Sequence, residues 1–171
     1  EVMYVPREIE IHVGGHSANV SIGLRQLGLS QGKVSSVGAV GDDVFADFIE
    51  RVLKKHGVVA HLQRVREAGT SKDLVLVVKG QDRRYHVYVG ANWHLSPNHV
   101  RSVLYEEKPL VFYVGATGMM GNFDMKLSNI LQYAKSFDCL TFVDPIVPLD
   151  HGWHFLSRAS KWIDILHCND V

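Results

Sequence analysis

The sequence predicts an α/β domain with a mostly parallel sheet and a small antiparallel flap. Three observations predict it. Apolar periodicity switches repeatedly between two residues and 3.6, as it does where strands alternate with helices. Unbroken apolar runs at residues 110–114 and 140–143 suit parallel strands covered on both faces. Upstream of both, Leu74, Leu76 and Val78 alternate, Gly80-Gln81-Asp82 turns, and Tyr85, Val87 and Val89 alternate again, which marks a hairpin with one wet face.

Each element follows in order. Ile9, Ile11 and Val13 alternate with Glu10 and His12, so residues 2–13 read as a half-exposed strand entering the Gly14-Gly15 turn. A helix is expected over residues 17–27, capped by Ser17 and stopped by Gly28. Residues 33–40 read as a strand and 43–56 as a helix ended by Gly57, with Val44, Phe45, Phe48, Ile49, Val52 and Leu53 on one apolar face. After the flap come a helix at 97–106, a strand at 110–115, a helix at 123–137, a strand at 140–143, a helix at 152–159 and a strand at 163–168. The chain is read as one domain over 1–171, with lid strands from about 1–13 and 58–91 set on the core. Its last strand ends where an α/β unit starts its next helix and Glu1 opens within strand-like sequence, so the sheet is expected to be cut short at both ends.

Composition narrows the function classes. With 171 residues, 46% of them hydrophobic, the chain is long enough to bury a core without disulfides or a structural metal. Lys+Arg 18 balance Asp+Glu 18, which leaves no long-range field to gather nucleic acid or anionic lipid. Neither partner is expected. The apolar runs fall short of a bilayer span and the start lacks the order of a signal peptide. Cys139 and Cys168 both fall in strand-like runs and read as buried thiols of a reducing compartment, so a cytoplasmic address is expected.

The most informative segment is Gly14-Gly15-His16-Ser17-Ala18-Asn19-Val20-Ser21, between a strand and a helix. Paired glycines let the backbone turn sharply and let a ligand approach its N–H groups. Asn19 in the first helical turn offers both donor and acceptor, which suits a hydroxyl-rich molecule. The alternative is a glycine turn followed by a buried, satisfied Asn. The segment is neither the Gly-x-Gly-x-x-Gly dinucleotide pattern nor a P-loop.

The run Gly14-Gly15-x-x-Ala18-Asn19-x-Ser21, with Gly28 and Gly38 following and Gly41-Asp42-Asp43 closing the segment, resembles the N-terminal signature of the ribokinase-like (PfkB) sugar kinases. It departs at Ser17, where the family usually has Gly, Ala or Pro. Resemblance extends along the chain through Gly69-Thr70-Ser71, Gly90-Ala91-Asn92, Asp144-Pro145, and Asp164-Ile165-Leu166 leading to Asn169. It implies a three-layer αβα core and the N-terminal part of a kinase that moves the γ-phosphoryl of ATP to a hydroxymethyl group of a sugar, sugar acid or nucleoside. In such kinases the flap closes over the sugar and excludes water. Gly14, Gly15 and Asn19 would contact substrate hydroxyls. Asn169 would lie near the triphosphate and its Mg²⁺, while its usual acidic partner would fall at the position after Val171.

The family's Gly-Ala-Gly-Asp segment, whose helix-start amides hold the phosphoryl group and whose Asp takes the hydroxyl proton, has no counterpart in this sequence. Gly38-Ala39-Val40-Gly41-Asp42-Asp43 looks similar, but its carboxylates suit the cap of the next helix. Gly115-Ala116-Thr117-Gly118 lacks the acid altogether. By itself the chain is therefore expected to be inactive. On the hairpin, alternation sets Arg84, His86 and Tyr88 on one side and Arg83, Tyr85 and Val87 on the other. Arg84 and Tyr88 are candidates for a sugar acid's carboxylate. The histidines lack ligand spacing, so no metal site of the chain's own is expected. Unpaired flap edges point to a homodimer joined through the lid. A second reading from another class is a non-catalytic sugar-binding or interaction module on the same fold.

Overall fold

The computed structural model describes residues 8–149 and 152–169. In order, the elements are α1 (His16–Gln26), β1 (Ser35–Gly41), α2 (Val44–Lys55), β2 (Val59–Val65), β3 (Lys72–Leu76), β4 (Arg84–Tyr88), α3 (Pro97–Glu107), β5 (Val111–Thr117), α4 (Asn122–Met125), α5 (Leu127–Lys135), β6 (Leu140–Pro145), α6 (His154–Ala159) and β7 (Ile165–Leu166). Single 3-10 turns lie at Gly90–His94 and Ser160–Trp162. Parallel sheets with one small antiparallel pair make this the mixed α/β fold the sequence predicts.

β1 and β2 pair in parallel, from Ser35 opposite Val59 to Gly41 opposite Val65. β5, β6 and β7 form a second parallel sheet with β6 in the middle. Parallel neighbours need a crossover, which α2 supplies between β1 and β2, α4 and α5 between β5 and β6, and α6 between β6 and β7. Strand parity decides what each face meets. Ala60 and Leu62 of β2 turn toward Ala18 and Leu53 of α1 and α2, while Val65, of opposite parity, joins the main core with Ala39, Val114 and Val143. Phe123, Leu127, Ile130 and Leu131 fill that core and are almost completely buried. At about 25 cal/mol per Å² of apolar surface, side chains of this size each stabilise by roughly 1.5–3 kcal/mol.

Several expectations change. No strand forms over residues 8–14, and the rest of the predicted first strand, residues 1–7, lies outside the described residues. Ile9 and Ile11 are 74% and 66% exposed, and alternation without a neighbour to pair with does not hold a strand. β2 runs parallel to β1 rather than within the flap, because the α2 crossover returns the chain alongside β1. The described flap is therefore β3 and β4 alone, not all of 58–91. The helix expected over 123–137 is broken at Lys126, whose φ of −104° and ψ of 4° part α4 from α5. Ser17 does not cap α1: Gly15 is the N-cap, and the Ser17 hydroxyl hydrogen-bonds Ser36 Oγ at 2.7 Å. β7 spans two residues rather than six, and Cys168 beyond it is an exposed free thiol, unlike buried Cys139.

Candidate functional site

The turn before α1 holds the residues singled out from sequence. Gly15 has φ +83° and ψ 156°, a conformation closed to residues with a Cβ, and its carbonyl accepts the Asn19 amide at 3.0 Å. That bond starts the helix and leaves the amides of its first turn without intrahelical acceptors. The Asn19 side chain is exposed and forms no hydrogen bond with the described residues. A buried, satisfied Asn is therefore excluded. Gly14 is exposed beside it.

Sequence reasoning missed what lies against this turn. At Gly115 of β5, a Cβ would fall 2.3 Å from His16 Cβ and 2.8 Å from Tyr113 Oη, so the first turn of α1 sits directly on bare strand backbone. The next residue, Ala116, is held at φ +59°, and the β5–β6 register slips there. A left-handed alanine costs on the order of 1 kcal/mol and often marks a working site. Across the slip stands Asp144 at the end of β6. It accepts the Tyr113 hydroxyl at 2.7 Å and hydrogen-bonds His167 Nδ1 at 3.0 Å, while His16 Nε2 lies 3.8 Å away. Burial pushes the Asp144 carboxyl up, but the Tyr113 and His167 hydrogen bonds and the charges of His16 and His167 outweigh it and hold it below the usual range. Burial and the neighbouring carboxylate together push the Tyr113 phenol well above its usual value. Two residues past His167, Asn169 stands exposed. The glycine turn and the Asp144 cluster thus meet at the carboxyl ends of β5 and β6, where open α/β sheets bind ligands, and Asn169 follows the end of β7. The only sequence signal for this cluster is Asp144 itself, at the end of an apolar run.

Asp43 caps α2. Its carboxylate accepts the amides of Phe45 at 3.2 Å and Ala46 at 3.0 Å, as expected of the Gly41-Asp42-Asp43 segment. It also accepts the Thr70 amide at 2.8 Å and the Thr70 hydroxyl at 2.6 Å, and Thr70 Oγ1 in turn accepts the Gly41 amide. Burial raises this carboxyl, but the Thr70 and Ala46 hydrogen bonds and the Lys72 charge bring it down to about 2. The hairpin leaves the core at this knot and returns at Gly90, where a Cβ would come within 2.3 Å of the Gly69 carbonyl.

Arg84 and Tyr88 lie on one hairpin face with Lys72, as alternation predicts. Lys72 Nζ sits 5.2 Å from the Tyr88 ring and 4.8 Å from that of Phe45, which sets the Lys72–Tyr88 end of this face beside the start of α2. Arg84 reaches Gln81 at 3.3 Å. Among the described residues, no hydrogen bond or ion pair joins Arg84 or Tyr88 to the Gly14–Asn19 turn. The described residues do not by themselves fit a triphosphate with its Mg²⁺. Asn169 offers one neutral carboxamide, and no group of three or more His, Cys, Asp or Glu among the described residues is placed to hold a metal ion.

Comparison with known proteins bears on the family and the fold. The profile of the pfkB family carbohydrate kinases matches residues 1–170. The chain is 25% identical over 135 residues to an ATP-dependent 6-phosphofructokinase of Thermoanaerobacterium thermosaccharolyticum, covering 78% of this chain and 40% of that enzyme. Among solved structures it resembles ribokinase from Giardia lamblia (TM-score 0.78, 19% identity, 90% of this chain and 46% of that one). It also resembles Anopheles gambiae adenosine kinase (0.78, 21%, 91% and 50%) and fructokinase from Xylella fastidiosa (0.75, 21%, 90% and 49%). The chain spans about half the length of these relatives or less. Its fold is that of their ribokinase-like core, and the chain belongs to the pfkB family of carbohydrate kinases.

Proposed function

We propose that this chain supplies the acceptor side of an ATP-dependent kinase, binding the hydroxyls of a sugar, sugar acid or nucleoside whose hydroxymethyl group receives the γ-phosphoryl. The observation that carries the reading is the open carboxamide of Asn19 above the Gly14-Gly15 turn, in a chain that the family profile matches over residues 1–170. Catalysis of this kind works by positioning and charge stabilisation. Gly14 and Gly15 let a sugar ring come close to backbone amides, and Asn19 fixes a hydroxyl through a donor and an acceptor. Asn169 borders the nucleotide side, where the ATP and Mg²⁺ of the whole kinase bind. The hairpin closes over the acceptor with Arg84 and Tyr88 on its inner face, and excludes water during transfer. The base and the anion hole are not among this chain's residues, so the chain alone binds without transferring. The hairpin also joins two copies into a homodimer.

A thermal-shift panel of ribose, fructose, 2-keto-3-deoxygluconate, adenosine and ATP with Mg²⁺, run on this chain and on the whole protein, tests the reading. Stabilisation of both by one acceptor, with ATP acting only on the whole protein, is expected. Absence of any acceptor shift in the whole protein would favour the non-catalytic module instead.

A further inference from the structure

We propose that the groove between α3 and the α4–α5 break is a binding site for a small phosphate-bearing anion, separate from the acceptor site. The groove is an open concavity of about 350 Å³ lined by Ser96, Asn98, Arg101, Asn122, Lys126 and Asn129, together with Pro97 and Ile130. Both charged residues in its wall are cations. Neither forms an ion pair with any described carboxylate, although the chain as a whole carries equal numbers of acids and bases. An uncompensated pair of cations around a concave surface attracts an anion of matching size.

Two structural features prepare the site. Arg101 lies over the Tyr133 ring, its guanidinium carbon 4.2 Å from the ring centroid, which restrains the side chain. A guanidinium held in this way keeps its N–H edge for an oxyanion and loses less rotamer freedom when it binds one. Lys126 is the residue at which the expected long helix breaks. Its carbonyl accepts the Asn129 and Ile130 amides at 3.0 and 3.1 Å, so the break is itself hydrogen-bonded. The break makes Asn122, the first residue of α4, Lys126, just past its end, and Asn129, in the first turn of α5, walls of one groove. Opposite, Asn98 and Arg101 stand three residues apart on α3, on one face of that helix. Three carboxamides beside two cations can bind the ester or hydroxyl oxygens of an organic phosphate as well as its charge.

The test is a titration of the ¹⁵N-labelled protein at constant ionic strength with inorganic phosphate, with a hexose 6-phosphate and with chloride. The side-chain amides of Asn98, Asn122 and Asn129 are followed. The expected result is a saturable shift of those amides with the phosphates and none with chloride. Affinity should weaken at least tenfold in Arg101→Gln and in Lys126→Gln, with melting temperatures unchanged. Tighter binding of the hexose phosphate identifies an organic ester as the ligand, and equal binding identifies free phosphate. Absence of a saturable shift, or one that persists in the Arg101→Gln, Lys126→Gln double variant, overturns the proposal. Should either variant fail to fold, Asn129→Ala replaces it and is read from the side-chain amides of Asn98 and Asn122.

Discussion

Asp43 shows how one side chain can hold several segments together. It satisfies two amides at the start of α2 and both the amide and hydroxyl of Thr70, so it ties the hairpin's exit to β1 and α2. Asp43→Ala removes the cap and leaves the Thr70 amide short of a partner, and should cost about 2 kcal/mol in denaturant unfolding. The pH dependence has a definite sign. A carboxyl lowered to about 2 in the folded state, from near 4 unfolded, stabilises fully above pH 4 and loses that contribution as pH falls through 2. The stability gap between wild type and Asp43→Ala should therefore be constant from pH 7 to 5 and close toward pH 2. A gap that persists at pH 2 would assign the effect to packing. Ala116 offers the opposite experiment. Ala116→Gly should stabilise the chain by up to about 1 kcal/mol by relieving a left-handed alanine, read as a rise in melting temperature.

At the scale of elements, the seat of α1 on β5 decides whether a site exists. Gly115→Ala places a methyl where His16 and Tyr113 already stand, and the backbone of β5 cannot yield as a flexible side chain can. A loss of about 1–3 kcal/mol is expected, with the Asp144 to His16 approach lengthened. An unchanged melt would show that α1 is not seated there. The same elements explain what the sequence could reveal. Helices α1, α2 and α3 and strands β1, β5 and β6 were legible, because each carries its own period, and α1 and α2 their own stops at Gly28 and Gly57. The turn holding Gly14, Gly15 and Asn19 was legible for a similar reason, since the signal is local. The pairing of β2 with β1, the break at Lys126 and the gathering of Tyr113, Asp144 and His167 were not. They depend on contacts between residues far apart in the chain, which no local period encodes.

Across the whole molecule, the hairpin is the least protected part. Every residue of β3 and β4 is exposed, Val75 and Tyr85 face each other across the pair at 42% and 54% exposure, and both outer edges lack partners among the described residues. A two-stranded ribbon of this kind is marginal alone. Dimerisation through it should appear in sedimentation of the whole protein and be lost in the Val75→Glu, Tyr85→Glu double variant. A wild type that sediments as a monomer at micromolar concentration would rule it out. Among the described residues, no helix is long and apolar enough to cross a membrane. Binding of the acceptor by the Gly14–Asn19 turn is open to steady-state kinetics of the whole protein with Asn19→Ala. The KM for the acceptor should rise at least tenfold with the KM for ATP unchanged, which is the loss of roughly one good hydrogen bond to a hydroxyl. An acceptor KM equal to that of the wild type would contradict it.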